Sequence, residues 1–307
     1  MNQLRLATRG SPLALWQAEE TKRLLLAAEP QRSVDLELVQ SAGDKDARTE
    51  LSRFGLTGIF TAEVDHAVLS GVAQVGVHSL KDMPTTLHPE LMLAGVLARG
   101  AHEDALLTRS AASLDALPAG ARVATGSVRR QAMVLAARPD LVVVPIRGNV
   151  DTRVRKLLDG EADALVMACA GLQRLGLQSH IREVLRAPRF LPAPSQGIVG
   201  LVCRRDDTGA QRALGAISDV ESFAEALAER ALLHDLHGGC NAPVGALARA
   251  NENALALVAR VLSPDGREVL EDRIHGPLDD AIYLGQELAR RLIARGAKRL
   301  IDAARAC

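Results

Sequence analysis

Cys240 lies in the run Leu236-His237-Gly238-Gly239-Cys240-Asn241-Ala242-Pro243, where two glycines before it and a proline after it place a thiol on irregular backbone. A sulfur on such a loop is reachable and can act as a nucleophile or a tether; a cysteine kept for packing more often sits in an apolar helix or strand. Both readings stand for Cys240 taken alone. His234 and His237 give it metal-ligand spacing, but zinc needs a fourth ligand or water and no second cluster follows, so no metal is expected. The other reactive group is Asp82, in Val77-His78-Ser79-Leu80-Lys81-Asp82-Met83-Pro84, a segment that leaves a strand and that Pro84 keeps from becoming a helix. A carboxylate there, facing a basic cleft, stays ionised and can stabilise a developing cation or hold an N–H. The alternative is a surface Lys81–Asp82 pair of little energetic weight.

Three segments could receive an anion. Thr8-Arg9-Gly10-Ser11-Pro12, Thr125-Gly126-Ser127-Val128-Arg129-Arg130 and Ile146-Arg147-Gly148-Asn149-Val150-Asp151-Thr152-Arg153 each leave a strand and open a helix with hydroxyls or arginines in its first turn. Unpaired N–H groups at a helix start carry partial positive charge, and a guanidinium adds two parallel donors that match a carboxylate or phosphate. Each junction alone also fits a capped helix with solvated arginines. Strand C-termini in open sheets face a shared crevice, so Arg9, Arg129, Arg130, Arg147 and Arg153 together suggest a multiply anionic ligand.

The elements that must position these groups follow from periodicity. Short apolar runs predict strands at Leu4–Thr8, Val34–Val39, Gln74–Ser79, Arg122–Thr125, Leu141–Ile146 and Ala164–Cys169; longer helical patterns alternate with them, the mark of α/β layers with mostly parallel strands. Ser11-Pro12 starts a helix that ends by Pro30. From Glu221 the rows Phe223, Leu227, Ala231 and Ala224, Ala228, Leu232 predict a helix with one buried face, ending at Gly238-Gly239. An antiparallel meander follows, turning at Asn251-Glu252-Asn253 and Ser263-Pro264-Asp265-Gly266, and a helix over about Leu278–Arg295 closes a small α+β domain.

Composition excludes several classes. Lys plus Arg equals Asp plus Glu, 37 against 37, and aromatic residues make up 2%, so neither nucleic acid nor an anionic membrane is an expected partner. No apolar run spans a bilayer, Arg5 and Arg9 stand where a signal peptide would be apolar, and the four cysteines form no disulfide framework, so a cytoplasmic protein is expected. No Walker or G-x-G-x-x-G motif supports phosphoryl transfer or dinucleotide binding.

Along essentially its whole length the chain resembles the porphobilinogen deaminase (hydroxymethylbilane synthase) family. The resemblance rests on Ala7-Thr8-Arg9-Gly10-Ser11-Pro12-Leu13-Ala14-Leu15-Trp16-Gln17, Val77-His78-Ser79-Leu80-Lys81-Asp82-Met83-Pro84, Arg147-Gly148-Asn149-Val150 with Thr152-Arg153, Ala170-Gly171-Leu172, Arg174-Leu175-Gly176, Leu191-Pro192-Ala193, Glu229-Arg230 and Gly238-Gly239-Cys240. It implies two α/β domains like type II periplasmic binding proteins, residues 1–97 plus 198–216 and residues 98–197, and a small α+β domain, residues 217–307, supplying the cysteine. It implies that Cys240 carries a dipyrromethane through a thioether as primer. Four porphobilinogens then join head to tail with loss of ammonia, and water releases hydroxymethylbilane. Asp82 would be the catalytic carboxylate. Lys81, Asp82, Thr125, Ser127, Arg129, Arg130, Arg147 and Gly148 would hold the cofactor, while Arg9, Ser11, Phe60, Arg147, Arg153, Arg174 and Gln196 would contact substrate or growing chain. A monomer whose only partner is porphobilinogen is implied.

Against the family pattern, Thr57 stands where a mobile-loop lysine is usual and Glu103 where an arginine is. Gly100, Gly126 and Ser195 are further departures. Two other readings stand beside the implied enzyme: a non-catalytic two-lobed binder of a small anion, which needs neither Cys240 nor Asp82, and a divergent member of the family that keeps the primer but turns over slowly.

Overall fold

Runs that are apolar on both faces, such as Val75-Gly76-Val77 and Ala164-Leu165-Val166, become strands covered on both sides. The structure, a computed structural model, describes residues 3–39, 61–238 and 242–306. In chain order these form β1 (Gln3–Arg9), α1 (Pro12–Ala28), β2 (Ser33–Val39), α2 (Ala62–Leu69), β3 (Val75–Ser79), β4 (Leu91–Val96), β5 (Asp104–Thr108), β6 (Arg122–Ala124), α3 (Val128–Ala137), β7 (Val142–Val144) and α4 (Val150–Leu158). Then come β8 (Ala164–Ala168), α5 (Cys169–Arg174), β9 (Glu183–Leu185), β10 (Val199–Arg204), α6 (Thr208–Ala216), α7 (Val220–Asp235), β11 (Val244–Asn251), β12 (Ala254–Leu262), β13 (Val269–Pro277), α8 (Ala281–Ala294) and α9 (Ala297–Ala306). Every strand expected from the sequence is present, its ends moved by two residues at most.

The chain divides into two compact units, Met1–Gly100 with Ile198–Phe223, and Ala101–Gly197 with Ala224–Cys307. The sheet of the first runs β2-β1-β3-β10-β4 and the α/β sheet of the second runs β7-β6-β8-β5-β9. The two orders are the same: three parallel strands, then an antiparallel strand contributed where the chain re-enters or enters the unit, then an edge strand. The expectation of mostly parallel strands is corrected on this point. β10 runs antiparallel to β3 and β4, and β5 to β8 and β9. Both reversed strands are buried on both faces, so they carry the same continuous apolar pattern that a parallel strand would.

In the first unit, Ser11 caps α1, Pro12 occupies its first turn, and Gln17, Ala18, Thr21 and Leu25 form the stripe that packs on the sheet. In the second unit, β11-β12-β13 form the expected meander. One face of it, with Ala246, Leu255, Leu257 and Ala259, packs under Leu232 of α7, Leu284, Leu288 and Leu292 of α8 and Leu300 of α9. Leu247 and Leu262 join Met133, Leu191 and Val123 in a separate core. The expected closing helix is α8, and a second helix, α9, follows it beyond Gly296, which breaks the chain between them at φ +96°. Gly285 is required where α8 crosses α7, because a Cβ there would stand 2.2 Å from the Ala228 carbonyl oxygen.

Candidate functional site

In the first unit, β1 and β3 are parallel neighbours, so the segments leaving their C-terminal ends emerge at one edge of the sheet. Arg9, half-buried, ends β1, and the Ser11 hydroxyl accepts from the Ala14 N–H at 3.4 Å to start α1. After β3 the chain makes a single 3₁₀ turn, Leu80–Asp82. Leu80 and Met83 are buried pegs on either side of Lys81 and Asp82, and the Leu80 N–H donates to the Ile198 carbonyl at 3.0 Å. The buried Gln17 amide donates to Ser79 Oγ at 2.8 Å, tying the start of the turn to α1. Between its two pegs the turn holds the Asp82 side chain out to solvent.

The second unit repeats this edge with different contents. β6, β7 and β8 end there, and antiparallel β5 begins there, with Asp104 opposite Ala168. Ser127 caps α3, accepting from the Arg130 N–H at 3.4 Å, and the buried Thr125 hydroxyl accepts from the Ser127 N–H at 3.3 Å. Gly148 opens the turn before α4 at φ +113°, where a Cβ would lie 2.7 Å from Thr152 Cγ2; the Gly148 carbonyl accepts from Arg153 Nε at 2.7 Å. Arg147 is exposed. Arg174 donates to the Gly197 carbonyl at 2.7 Å, and burial pulls its pKa down to about 10.

Arg129 and Arg130 turn inward, to 3% and 7% exposure, and converge on Asp104, itself 1% exposed. Asp104 Oδ2 accepts from Arg129 Nη1 at 2.7 Å; its Oδ1 accepts from Arg130 Nη2 at 2.8 Å and from the Gln196 amide at 2.9 Å. Burial alone would raise the Asp104 pKa, but the two guanidiniums outweigh it and hold the carboxyl far below the usual range. Two positive charges face one negative charge, and Arg129 Nε is buried with no hydrogen-bond partner among the described residues. The cluster therefore keeps a net positive charge and one buried donor unsatisfied.

Gln196, expected to line a cleft, is fully enclosed. Its Nε2 donates to the His102 carbonyl at 2.8 Å as well as to Asp104, and its Oε1 accepts from Arg130 Nη2 at 3.2 Å. The structure thus brings Thr125, Ser127, Arg129, Arg130, Arg147, Gly148, Arg153, Arg174 and Gln196 onto one unit, and Arg9, Ser11, Lys81 and Asp82 onto the other. Cys240 and Phe60 lie outside the described residues, as does Thr57.

Two buried carboxylates have no role assigned from the sequence, although Glu229 stands in one of the motifs quoted above. Asp104 signals itself by heading the apolar run Ala105-Leu106-Leu107, where a charge must find a partner. Glu229, on α7, is fully buried and accepts the Ser195 N–H on one oxygen and the Ala248 N–H, at 2.6 Å, on the other. Its signal is an acid inside the apolar rows of α7. Ser195 is held at φ +63°, and its hydroxyl is buried without a partner among the described residues. Among those residues no helix is long and apolar enough to cross a membrane.

Residues 4–212 match the family model described as "Porphobilinogen deaminase, dipyromethane cofactor binding domain", and residues 223–294 match "Porphobilinogen deaminase, C-terminal domain". A protein of Xanthomonas oryzae pv. oryzae named porphobilinogen deaminase is 44% identical over 303 residues, 99% of this chain and 100% of that one. One of the same name from Xanthomonas euvesicatoria pv. vesicatoria is 44% identical over 301 residues, 98% of this chain and 99% of its own. Among solved structures, the methionine-binding protein MetQ aligns with TM-score 0.47 at 14% identity, over 74% of this chain and 95% of that one.

Two predictions follow from the geometry. Ser195→Gly removes a left-handed residue strained by about 1–2 kcal/mol and an orphaned hydroxyl, against about 0.5–1 kcal/mol of added chain entropy. Urea unfolding should show a more stable protein, and a lower midpoint would contradict the strain. Burial, reinforced by Asp104 and Glu103, pushes the Cys169 thiol up to about 12, and burial with Asp207 pushes Cys203 up to about 11. Iodoacetamide applied to the native protein at about pH 8, followed by peptide mass mapping, should leave both unlabelled and should modify them only after unfolding.

Proposed function

Because the chain belongs to the porphobilinogen deaminase family, we propose that it polymerises porphobilinogen head to tail on a dipyrromethane primer and releases hydroxymethylbilane and ammonia, with Asp82 as the catalytic carboxylate and Cys240 as the point of attachment. The observation that carries the reaction is the similarity along the whole length, 44% over 99% of the chain. The residues fit the primer on a point of geometry: Arg129 and Arg130 hold one more positive charge than Asp104 cancels, with one buried N–H unspent. That is what a ligand rich in carboxylates requires.

When bound, the dipyrromethane would supply the free pyrrole α-carbon to which the first unit joins, and each later unit would join the free end of the one before it. The protein's own groups divide the remaining work. Asp82, fixed on its 3₁₀ turn, faces the positive charge that develops on the incoming pyrrole as ammonia leaves; it stabilises that charge and takes part in the deprotonation that follows coupling. Lys81, Thr125, Ser127, Arg129, Arg130, Arg147 and the Gly148 turn hold carboxylates of the primer. Arg9, Ser11, Arg153 and Arg174 hold those of substrate and growing chain, and Phe60 packs on a pyrrole ring. The three-domain division, with residues 98–197 and 217–307 as separate domains, belongs to the same proposal, as do a cytoplasmic setting and a monomeric state. The balance of 37 basic and 37 acidic residues favours free solution over nucleic acid or membrane.

Intact-mass measurement tests both assignments. The purified protein should exceed its chain mass by two linked pyrroles, and Cys240→Ser should lack that excess. Asp82→Asn should keep the fold and lower kcat for porphobilinogen by at least about 100-fold. Near-normal turnover in Asp82→Asn would remove it from the catalytic role, and a primer retained by Cys240→Ser would place the attachment elsewhere.

A further inference from the structure

Neighbouring positions on a helix point about 100° apart, so Arg129 and Arg130, consecutive on α3, do not converge of their own accord. Here both guanidiniums meet at one carboxylate. Asp104 accepts from Arg129 Nη1 at 2.7 Å and from Arg130 Nε and Nη2 at 3.0 and 2.8 Å. Gln196 closes the cluster from the other side, donating to Asp104 at 2.9 Å and accepting from Arg130 at 3.2 Å. Every polar atom of the Gln196 side chain is thus spent inside the protein, and its exposure is zero.

We propose that Asp104 and Gln196 act together as positioning residues that aim the Arg129 and Arg130 guanidiniums. This rests on the reading that those arginines hold carboxylates of the primer or growing chain. Asp104 supplies the charge that draws both forks to one point; Gln196 fixes the rotation of the Arg130 fork about that point. Asp104 leaves the pair with a net positive charge, so it orients the arginines without consuming their capacity for an anion. Gln196 serves the site without touching substrate.

The test uses the full chain. Asp104→Asn keeps the shape and removes the charge, and per folded molecule it should lower kcat/KM for porphobilinogen by about 100-fold. Asp104→Asn combined with Gln196→Glu moves the carboxylate across the hydrogen bond that joins the two side chains, and should recover at least about tenfold of that loss. A readout independent of the loaded enzyme comes from the Cys240→Ser protein, in which the Arg130 Nε–Hε NMR signal should exchange slowly with solvent. Asp104→Asn should abolish that signal and the double variant should restore it. A folded Asp104→Asn protein with turnover within about twofold of the parent, or with an unchanged Arg130 signal, overturns the proposal. If Asp104→Asn does not fold, Gln196→Met decides: a shifted, faster-exchanging Arg130 signal supports the proposal and an unmoved one overturns it. A parent protein that makes no hydroxymethylbilane would defeat the proposed reaction yet leave the NMR comparison able to score the positioning.

Discussion

Closing Asp104 off from water is the constraint on which the second unit's arrangement rests. A lone carboxylate in that position would be strongly disfavoured, and removing either guanidinium from the buried cluster would cost about 3–5 kcal/mol. The carboxylate therefore fixes where α3 begins relative to β5, since both arginines of its first turn must reach one point. It also fixes the segment that holds Leu191 and Gln196, because Gln196 bonds the oxygen that Arg130 bonds and the Leu191 carbonyl accepts from Arg129 Nη1 at 2.7 Å. β5, α3 and the segment that holds Leu191 and Gln196 are thus tied at one buried ion cluster that stays positively charged overall.

The two α/β sheets share a strand order but fill it differently. In both, helix starts and a reversed strand meet at the edge where the parallel strands end, which gathers unpaired N–H groups and side chains in one place. The first unit puts an exposed carboxylate on a short, well-pegged turn there, beside Lys81 and near a basic residue, Arg9. The second puts guanidiniums and hydroxyls there. A catalytic acid needs water or substrate within reach, whereas a carboxylate-holding arginine gains from a partly desolvated setting. The shared frame thus carries an exposed carboxylate in the first unit and a buried, net positive cluster in the second.

Much of this was legible in the sequence, and what was not has physical reasons. Ser11-Pro12 and Ser127 announced their helices because caps act locally, and the elements bearing Asp82 followed from Pro84 and the apolar run before it. Strand direction was not legible: β5 and β10 are sealed on both faces, and continuous burial carries no mark of polarity along the sheet. Arginine direction was not legible either. Arg129 and Arg147 look alike in sequence, one after each strand, yet Arg129 is buried on Asp104, a carboxylate 25 residues away brought opposite by strand pairing, and Arg147 is exposed. The Arg174 contact with Gly197 is long-range in the same way.

Glu229 shows that the C-terminal part of the chain does more than carry a thiol. A fully buried carboxylate is tolerated only when its oxygens are satisfied, and here the donors are backbone N–H groups from two separate segments, at Ser195 and Ala248. The first of these holds Ser195 in the left-handed conformation that glycine adopts most readily, immediately before Gln196. A residue there with a side chain and an orphaned hydroxyl persists only because its surroundings over-determine the backbone. The backbone that delivers Gln196 to Asp104 is therefore set from α7, the helix that ends shortly before Gly238. Displacing α7 would be felt at Arg130 through three consecutive buried contacts: Glu229 to Ser195, Gln196 to Asp104, and Asp104 to the guanidinium. The arginine cluster is thus linked through Gln196 and Ser195 to α7, the helix that bears Glu229.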